Sequence, residues 1–192
     1  GKQDVDYVLT TTEIVRMIRK SGIVFDKVEI EAADVPFGIG SGSGVIFGVT
    51  GGVTEAVLRR LQQGHNRVDM ESIKKSGVRG DDGIKVLTYN YNGREIKAAV
   101  VNGLANADKV LQQIKNHEAE YDFVEVMACR RGCIMGGGQP VNAGPRTRIA
   151  RMKGLYDTDV NTQIKKSNEN PMILSLYDTL LKGKEHELLH RN

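Results

Sequence analysis

The sequence predicts an α/β domain: a layered, mostly parallel β-sheet with flanking helices and one β-hairpin. Apolar segments with strand-like composition alternate with amphipathic segments of helical period, which is typical of a sheet covered by helices. Segments 84–91 and 94–101 are joined by Asn92-Gly93, a strong signal for a hairpin with a type I′ turn. With 192 residues and 40% apolar content, the chain can bury one sizeable core, so we interpret residues 1–192 as a single domain.

The N-terminal segment is predicted to form a strand followed by a helix. Residues 5–9 have the composition of a short buried strand. Thr10 and Glu13 then supply a capping box for a helix that Gly22 ends. Residues 28–30 are predicted to be extended.

The glycine-rich segment 36–52 is predicted to be a loop that leads into a helix over residues 53–61. The polar segment 62–82 is expected to hold at most a short helix near residues 70–75. The predicted apolar face of the helix at 53–61 consists of Val53, Ala56, Val57 and Leu61.

Four further elements are predicted after the hairpin. The helix predicted at 105–117 should bury one face, formed by Val110, Leu111 and Ile114. Asn170 and Pro171 occupy the N-cap and first helical position of the last helix. The four elements are a helix at 105–117, a strand at 122–128, and helices at 146–156 and 171–181.

Charge and composition exclude several classes of function. Residues 1–128 carry 16 basic and 18 acidic side chains, and residues 129–192 carry 11 and 6, so the C-terminal part is only mildly basic. Without Trp and with 5% aromatic residues, the chain lacks the stacking residues of a nucleic-acid-binding protein. No apolar run approaches the ~18 residues of a membrane span, and no signal-peptide pattern starts the chain. Two cysteines are too few for a disulfide framework, which favours a reducing, cytoplasmic location.

The chemically most informative segment is the loop after the strand at 122–128. It carries both cysteines, Cys129 and Cys133, followed by the glycines at 136–138. Two thiolates four positions apart can bind a soft metal, and the glycines allow backbone N–H groups to approach a sulfur-rich ligand closely. An iron–sulfur site is the interpretation we favour.

Other interpretations of the cysteines and glycines stay open on the residues alone. The two cysteines could be ordinary buried or reduced thiols or form a disulfide, or they could bind zinc together with His186 and His190. The loop 38–44 is rich in glycine but fits neither dinucleotide-binding nor P-loop spacing, which disfavours nucleotide binding.

The segment 126–140 (VMACRRGCIMGGGQP) resembles the third cluster-binding motif of the iron-only, or [FeFe], hydrogenases. The resemblance continues through 4–11 (DVDYVLTT), 42–56 (GSGVIFGVTGGVTEA), 168–171 (NENP) and 186–190 (HELLH), in the order expected for the C-terminal part of the catalytic domain. It implies that residues 1–192 are one lobe of that domain, truncated at the N-terminus.

The resemblance also implies roles for individual residues. Cys129 would bind a [4Fe–4S] cluster, and Cys133 would bind that cluster and bridge it to a diiron subcluster, the two together forming the H-cluster. Five further residues would contact the cofactor: Phe47, Gly48, Met127, Gly136 and Gly137. No catalytic residue is assigned within the chain, because the proton-delivering cysteine of the family lies upstream.

The implied function is that of a fragment whose parent reversibly reduces protons to hydrogen with electrons from a ferredoxin-like donor. A four-iron cluster usually takes four cysteines, so the isolated chain is expected to hold no H-cluster and to be inactive. Its partners would be the N-terminal remainder of the hydrogenase and the electron carrier. The alternative is a non-catalytic, hydrogenase-like iron–sulfur protein with an assembly, scaffold or sensory role.

The motif departs from the family pattern at two places. Arg130-Arg131 stands where a Pro-Gly pair is expected, and Met135 stands where a small or polar residue is usual. Both departures lie beside the cysteines.

Overall fold

A computed structural model describes residues 5–29, 31, 39–62, 67–80, 82–141 and 144–190. Short 3₁₀ turns occur at Phe25–Lys27, Ile46–Gly48, Cys133–Met135 and Ser167–Glu169. The helices and strands of the described residues are α1 (Thr11–Lys20), α2 (Gly42–Val45), α3 (Gly52–Leu61), α4 (Arg67–Lys75), β1 (Ile84–Tyr91), β2 (Arg94–Asn102), α5 (Leu104–Lys115), β3 (Phe123–Met127), α6 (Pro145–Asn161), α7 (Pro171–Asp178) and α8 (Glu185–Leu189).

The described strands form one mixed sheet in the order β1-β2-β3. The hairpin pairs β1 and β2 antiparallel, with Ile84 opposite Val101. Strand β3 pairs parallel with β2, with Ala98 opposite Phe123, after a crossover through α5. The α/β prediction with flanking helices and a hairpin is confirmed, but the description of the sheet as mostly parallel is only partly correct, because one of the two described strand pairs is parallel and the other is antiparallel. A two-residue turn can join only antiparallel strands, whereas the longer connection through α5 lets β3 run parallel to β2.

The core lies on both faces of β2. One cluster packs the sheet against α3 and α4, and a second packs it against α5. Because β2 is covered on both faces, its residues 98–101 are all buried. The buried side chains of the first cluster are Leu58, Ile73, Val78, Leu87, Ala98 and Val100, and those of the second are Ala99, Val101, Ala107 and Val110.

Local sequence signals predicted the helix starts and the hairpin turn correctly. The Thr10 hydroxyl accepts from the Glu13 N–H, and the Glu13 carboxylate accepts from the Thr10 N–H, which completes the capping box. Asn170 caps α7 by accepting from the N–H of Met172. Asn92 and Gly93 have positive φ angles of 50° and 80°, as a type I′ turn requires.

Two predicted extended segments do not form strands. Residues 5–9 belong to no sheet, and the side chains of Tyr7 and Val8 are 87% and 85% exposed. A strand requires a neighbouring strand for its N–H and C=O groups, and no described residue supplies one here. Residues 28–29 are likewise outside any strand, and Ile30 lies outside the described residues.

The glycine-rich segment and two helix faces also differ from expectation. Residues 42–45 form α2 rather than a loop, whereas 36–38 lie outside the described residues. On α5, Val110 is buried, but Leu111 is 60% exposed. On α3, the predicted face is only partly buried, and the most buried side chains are Thr54, Glu55, Leu58 and Arg59.

Candidate functional site

The cysteine loop begins where β3 ends and turns sharply. The Gly103 N–H donates to the Met127 carbonyl at 2.8 Å, which is the last backbone contact with the end of β2. Arg131 and Gly132 then adopt positive φ angles of 72° and 75°. The Gly132 N–H donates to the Cys129 carbonyl, so the turn closes between the two cysteines.

Both cysteines are free thiols on the exposed rim of this loop. The Cys129 sulfur lies directly against the backbone of Gly136, because a Cβ built on that glycine would be 3.1 Å from Sγ. No atom would lie within 4 Å of a Cβ on Gly137, which therefore faces open space. The structure brings the first cysteine and the glycine rim together, and the exposure of both thiols contradicts the buried-thiol interpretation.

A second loop, the 3₁₀ turn Ile46–Gly48, packs against the cysteine loop. A Cβ on Gly132 would lie 3.2 Å from the Gly48 carbonyl oxygen. A Cβ on Gly48 would lie 2.8 Å from Leu155 Cδ1 of α6. The turn is thus held between the cysteine loop and α6, and it leaves the Phe47 side chain 46% exposed.

Met127 is buried, unlike the two cysteines on the exposed rim. Alternation along a strand would put Met127 on the same face as Cys129, but β3 ends at Met127, so the strand period does not extend to the cysteine. Met127 is only 9% exposed, whereas Cys129 is exposed. Its predicted contact with the cofactor stays a prediction.

Glu125 is a buried carboxylate of the site region that sequence reasoning missed. It lies in the centre of β3 and accepts hydrogen bonds from the Gly51 N–H at 2.8 Å and from both the N–H and the hydroxyl of Thr54 at 2.7 Å. These donors belong to the N-terminal end of α3, where a negative charge is favoured. The sequence signal that could have identified Glu125 was an acidic residue at an inward position of an otherwise apolar strand.

A second missed feature is a buried charged cluster around Arg59. Its guanidinium donates to both carboxylate oxygens of Asp159 at 2.7 Å and to Glu55 at 2.6 Å. Arg79 donates two further bonds to Glu55 and lies 4.0 Å above the ring centroid of Tyr156. The spacing of Glu55 and Arg59 by four residues was the only sequence signal.

The cluster shifts the titration of its members. Burial alone would raise the pKa of Asp159, but the hydrogen bonds and charge of Arg59 outweigh it and hold that pKa below its ordinary value. Burial raises the pKa of Tyr156 to about 12. At neutral pH the cluster therefore contains a charged Asp159 and a neutral Tyr156.

Hydrogen bonds from residues of α1 and α6 hold the cysteine loop. The Arg151 guanidinium of α6 donates to the Ile134 carbonyl at 2.7 Å. The N–H and the hydroxyl of Thr12, in α1, both donate to the Gly138 carbonyl at 2.9 Å. The loop is therefore fixed by hydrogen bonds to its backbone, which leaves the thiols free.

The zinc interpretation is wrong. His186 and His190 contact each other, with ring centroids 5.2 Å apart. Nowhere in the part of the chain that the structure describes do three or more His, Cys, Asp or Glu side chains come together in a way that could hold a metal. Within the same residues, no helix has the length and apolar content needed to cross a membrane.

A family model described as the iron-only hydrogenase large subunit, C-terminal domain, matches residues 1–137. The chain belongs to the iron-only hydrogenase family. A second model of the same enzymes, the iron hydrogenase small subunit, matches residues 145–192. The resemblance carried by the cysteine motif is thereby confirmed, and the small-subunit match is a finding that the sequence analysis did not predict.

Curated relatives extend over nearly the whole chain. Iron hydrogenase 1 of Clostridium pasteurianum is 38% identical over 99% of this chain, and the NADP-reducing hydrogenase subunit HndD of Solidesulfovibrio fructosivorans is 37% identical over 99%. More distant is the cytosolic Fe-S cluster assembly factor narfl of Xenopus tropicalis, which is 29% identical over 95% of the chain. The chain spans 35%, 33% and 39% of these relatives, respectively.

Solved structures of [FeFe]-hydrogenases have the same fold. The structure of HydA(deltaEFG), described as revealing stepwise H-cluster assembly, matches with a TM-score of 0.68 and 33% identity, covering 96% of this chain and 55% of that one. A variant of HydA1 from Chlamydomonas reinhardtii matches with a TM-score of 0.69 and 32% identity, covering 98% and 55%. The chain therefore has the fold of part of the hydrogenase domain.

Proposed function

We propose that this chain is the C-terminal lobe of an iron-only hydrogenase catalytic domain and that it supplies half of the protein ligands of the H-cluster. The observation that carries the proposal is the exposed rim on which Cys129 and Cys133 stand, with the backbone of Gly136 directly under the first sulfur. An exposed pair of thiols beside an unhindered backbone has the donor chemistry of an iron–sulfur site.

The residues present fit one half of such a site. A [4Fe–4S] cluster is held by four thiolates, and this chain contributes two. The other ligands would come from the part of the parent protein outside this chain, in line with relatives that are roughly three times as long. The isolated chain should accordingly bind no complete H-cluster and show no hydrogenase activity.

Each residue of the rim would have a distinct task. Cys129 and Cys133 would supply thiolates, and Gly136 and Gly137 would let the backbone come close to the cofactor without side-chain interference. Phe47 would exclude water from the cofactor, Gly48 would allow close backbone approach, and Met127 would contact the cofactor through its thioether. When bound, the cofactor supplies the redox chemistry by which the parent reversibly reduces protons, and the protein supplies ligation and positioning.

A test uses the full-length parent after cofactor maturation. We expect Cys129→Ser or Cys133→Ser to lower the iron content and to abolish hydrogen evolution from a reduced ferredoxin-like donor. Ala128→Ser is the matched control, because it adds a hydroxyl to an exposed position of the same loop and keeps both thiols. Full iron content and turnover in both cysteine variants would refute the proposed ligation.

A second candidate is a hydrogenase-like protein that holds iron–sulfur for assembly, scaffolding or sensing. The cytosolic assembly factors and components among the relatives favour it, at 28–29% identity over 95–98% of this chain. Iron hydrogenase 1 and HndD favour the enzyme, at 38% and 37% identity. An intact four-iron cluster without hydrogen turnover in the matured parent would select the second candidate. A cytoplasmic location stays a prediction, since the relatives also include a periplasmic hydrogenase.

A further inference from the structure

A small cavity lies behind the cysteine loop. Its volume is about 10 Å³, which is room for one ligand of the size of a water molecule. The cysteine loop contributes Arg131 and Ile134 to its wall, α6 contributes Arg148 and Met152, and the turn before α3 contributes Thr50. The cavity thus lies where the cysteine loop, α6 and the start of α3 meet.

Thr50 brings a buried hydroxyl to this cavity. The residue is 3% exposed, and its Oγ1 has no hydrogen-bond partner among the described residues. A Cβ on Gly132 would lie 3.2 Å from this oxygen, so the hydroxyl stands directly beneath the turn between the two cysteines. Folded proteins rarely leave a buried hydroxyl unpaired, because its desolvation is then uncompensated. The Thr50 hydroxyl therefore indicates a ligand in the cavity.

Two arginines give the wall of the cavity a positive charge. Arg131 and Arg148 both line it, and none of the described residues that line it is acidic. Arg131 has a φ of 72°, which favours glycine, so an arginine stands at this position at a cost in backbone strain. A guanidinium group can only donate hydrogen bonds. The cavity therefore favours a ligand that is negatively charged and accepts hydrogen bonds.

Several hydrogen-bond acceptors of the lining residues already have donors elsewhere. The carbonyls of Val49 and Gly80 accept at 3.0 Å from the Gly52 N–H and the Lys85 ammonium, respectively. The Ile134 carbonyl accepts from the guanidinium of α6 described above. A bound water must find acceptors for its own two protons, whereas a halide ion needs donors only. A wall with more donors than acceptors favours the halide.

We propose that this cavity binds a single halide ion, such as chloride, through the Thr50 hydroxyl and the Arg131 guanidinium, with Arg148 adding positive charge. A monoatomic anion suits a space of this size, whereas phosphate and carboxylates are larger. The ion neutralises part of the charge that Arg131 brings to the cysteine loop, and it ties the turn between the cysteines to Thr50. The site uses neither sulfur nor iron, so its test is independent of the proposed cluster site.

The first test is urea unfolding of the full chain in mixtures of sodium chloride and sodium gluconate at constant ionic strength. Gluconate is too large for the cavity, so only the halide concentration changes at the site. With a dissociation constant of about 10 mM, 100 mM chloride should lower the unfolding equilibrium constant about tenfold. Bromide should act as chloride does. An unfolding equilibrium that is the same in chloride and in gluconate would overturn the proposal.

Substitutions of the two neighbouring arginines separate the site from general screening by salt. Arg131→Gln removes a charge from the wall of the cavity, and the chloride dependence should disappear. Arg130→Gln is the matched control: Arg130 is not among the described residues that line the cavity, so the dependence should stay. Both variants have the same net charge and are therefore screened alike. Equal chloride dependence in the two variants would contradict the site.

Substitutions of Thr50 distinguish a halide from a bound water. Thr50→Val replaces the hydroxyl by a methyl group, so the chloride dependence should disappear. In gluconate alone, this variant should be at least as stable as the native chain, because the native hydroxyl is then unpaired. Thr50→Ser keeps the hydroxyl and should keep the chloride dependence. A Thr50→Val chain that is less stable in gluconate, with a native chain that ignores chloride, would replace the halide by a water.

Anomalous diffraction locates the ion without any substitution, which covers the case in which a variant does not fold. Crystals of the native chain grown in sodium bromide should show an anomalous peak between Thr50 Oγ1 and the Arg131 guanidinium. Density for a water at this place without an anomalous signal would refute halide binding.

Discussion

The charged cluster around Arg59 and the cysteine rim around Cys129 differ in whether their chemically active groups are buried and paired or exposed. In the cluster, the carboxylates of Glu55 and Asp159 both pair with the guanidinium of Arg59, and these three side chains are buried. On the rim, the two thiols are exposed, and hydrogen bonds from Thr12 and Arg151 to backbone carbonyls hold the loop around them. Each carboxylate of the cluster has a guanidinium partner within the described residues, whereas the proposed function requires the rim to receive further ligands from outside this chain.

This difference separates stability from function. A buried charge that loses its partner destabilises the fold, because no water can replace the lost interaction. An exposed thiol can be lost at little cost in folding. Substitutions in the cluster should therefore change the free energy of unfolding, and substitutions on the rim should change cofactor binding.

The largest effect is expected for Arg59→Leu. It leaves the Asp159 carboxylate buried without its bidentate partner, and we expect the free energy of unfolding to fall by about 3–5 kcal/mol in urea titrations of the chain. Arg60→Leu, on the exposed side of the same helix, should change it by less than about 0.5 kcal/mol. Similar losses in the two variants would mean that burial of the pair is not what matters.

The next effect is expected for Glu125→Ala, which removes the acceptor for three donors at the start of α3. Leaving buried N–H groups unpaired should cost about 2–3 kcal/mol in the same urea titration. Glu120→Ala, at an exposed position just before the same strand, serves as control and should be nearly neutral. A neutral result for Glu125→Ala would show that the end of α3 is held by other contacts.

Acid should weaken the cluster in a defined direction. Because Arg59 holds the pKa of Asp159 below its ordinary 3.8, the folded chain gains stability from this carboxylate above that pH and loses it as the pH falls further. The difference in unfolding free energy between the native chain and Asp159→Asn should be constant above about pH 5 and shrink below pH 4. A difference that persists unchanged to pH 2 would refute the ion pair as its source.

A smaller, stabilising effect is expected at the rim itself. Arg131 has a φ of 72°, which an L side chain rarely adopts, so Arg131→Gly should stabilise the chain by about 1 kcal/mol in thermal or urea unfolding. Arg130→Gly is the paired control: Arg130 is not among the positive-φ residues, so glycine should be neutral or slightly destabilising there. Destabilisation by Arg131→Gly would mean that its side-chain contacts outweigh the strain.

The smallest effect on stability should accompany a selective effect on iron. Gly136→Ala puts a methyl group 3.1 Å from the Cys129 sulfur, and Gly137→Ala puts one into open space. In the matured full-length parent, we expect Gly136→Ala alone to lower the iron content, while both variants unfold within about 0.5 kcal/mol of the native chain. Equal iron content in the two variants would show that the rim tolerates displacement of the thiol.

Local signals predicted the elements whose cause is local. The capping box at Thr10, the cap at Asn170 and the Asn92-Gly93 turn depend on hydrogen bonds and φ angles within a few residues, and all three are present. The predicted strand at 5–9 failed because a strand depends on a partner that local sequence does not specify.

The sequence by itself determined the family and the candidate ligands, because the cysteine motif is contiguous and its chemistry belongs to those residue types. Only the tertiary structure decided which face of α3 is buried, since that face is polar and needs Asp159, one hundred residues away, to neutralise Arg59. The tertiary structure also decided that the Cys129 sulfur lies against the backbone of Gly136 and that α6 packs against Gly48. Hydrophobic period describes one segment, whereas pairing of buried charges and close backbone approach depend on where distant segments meet.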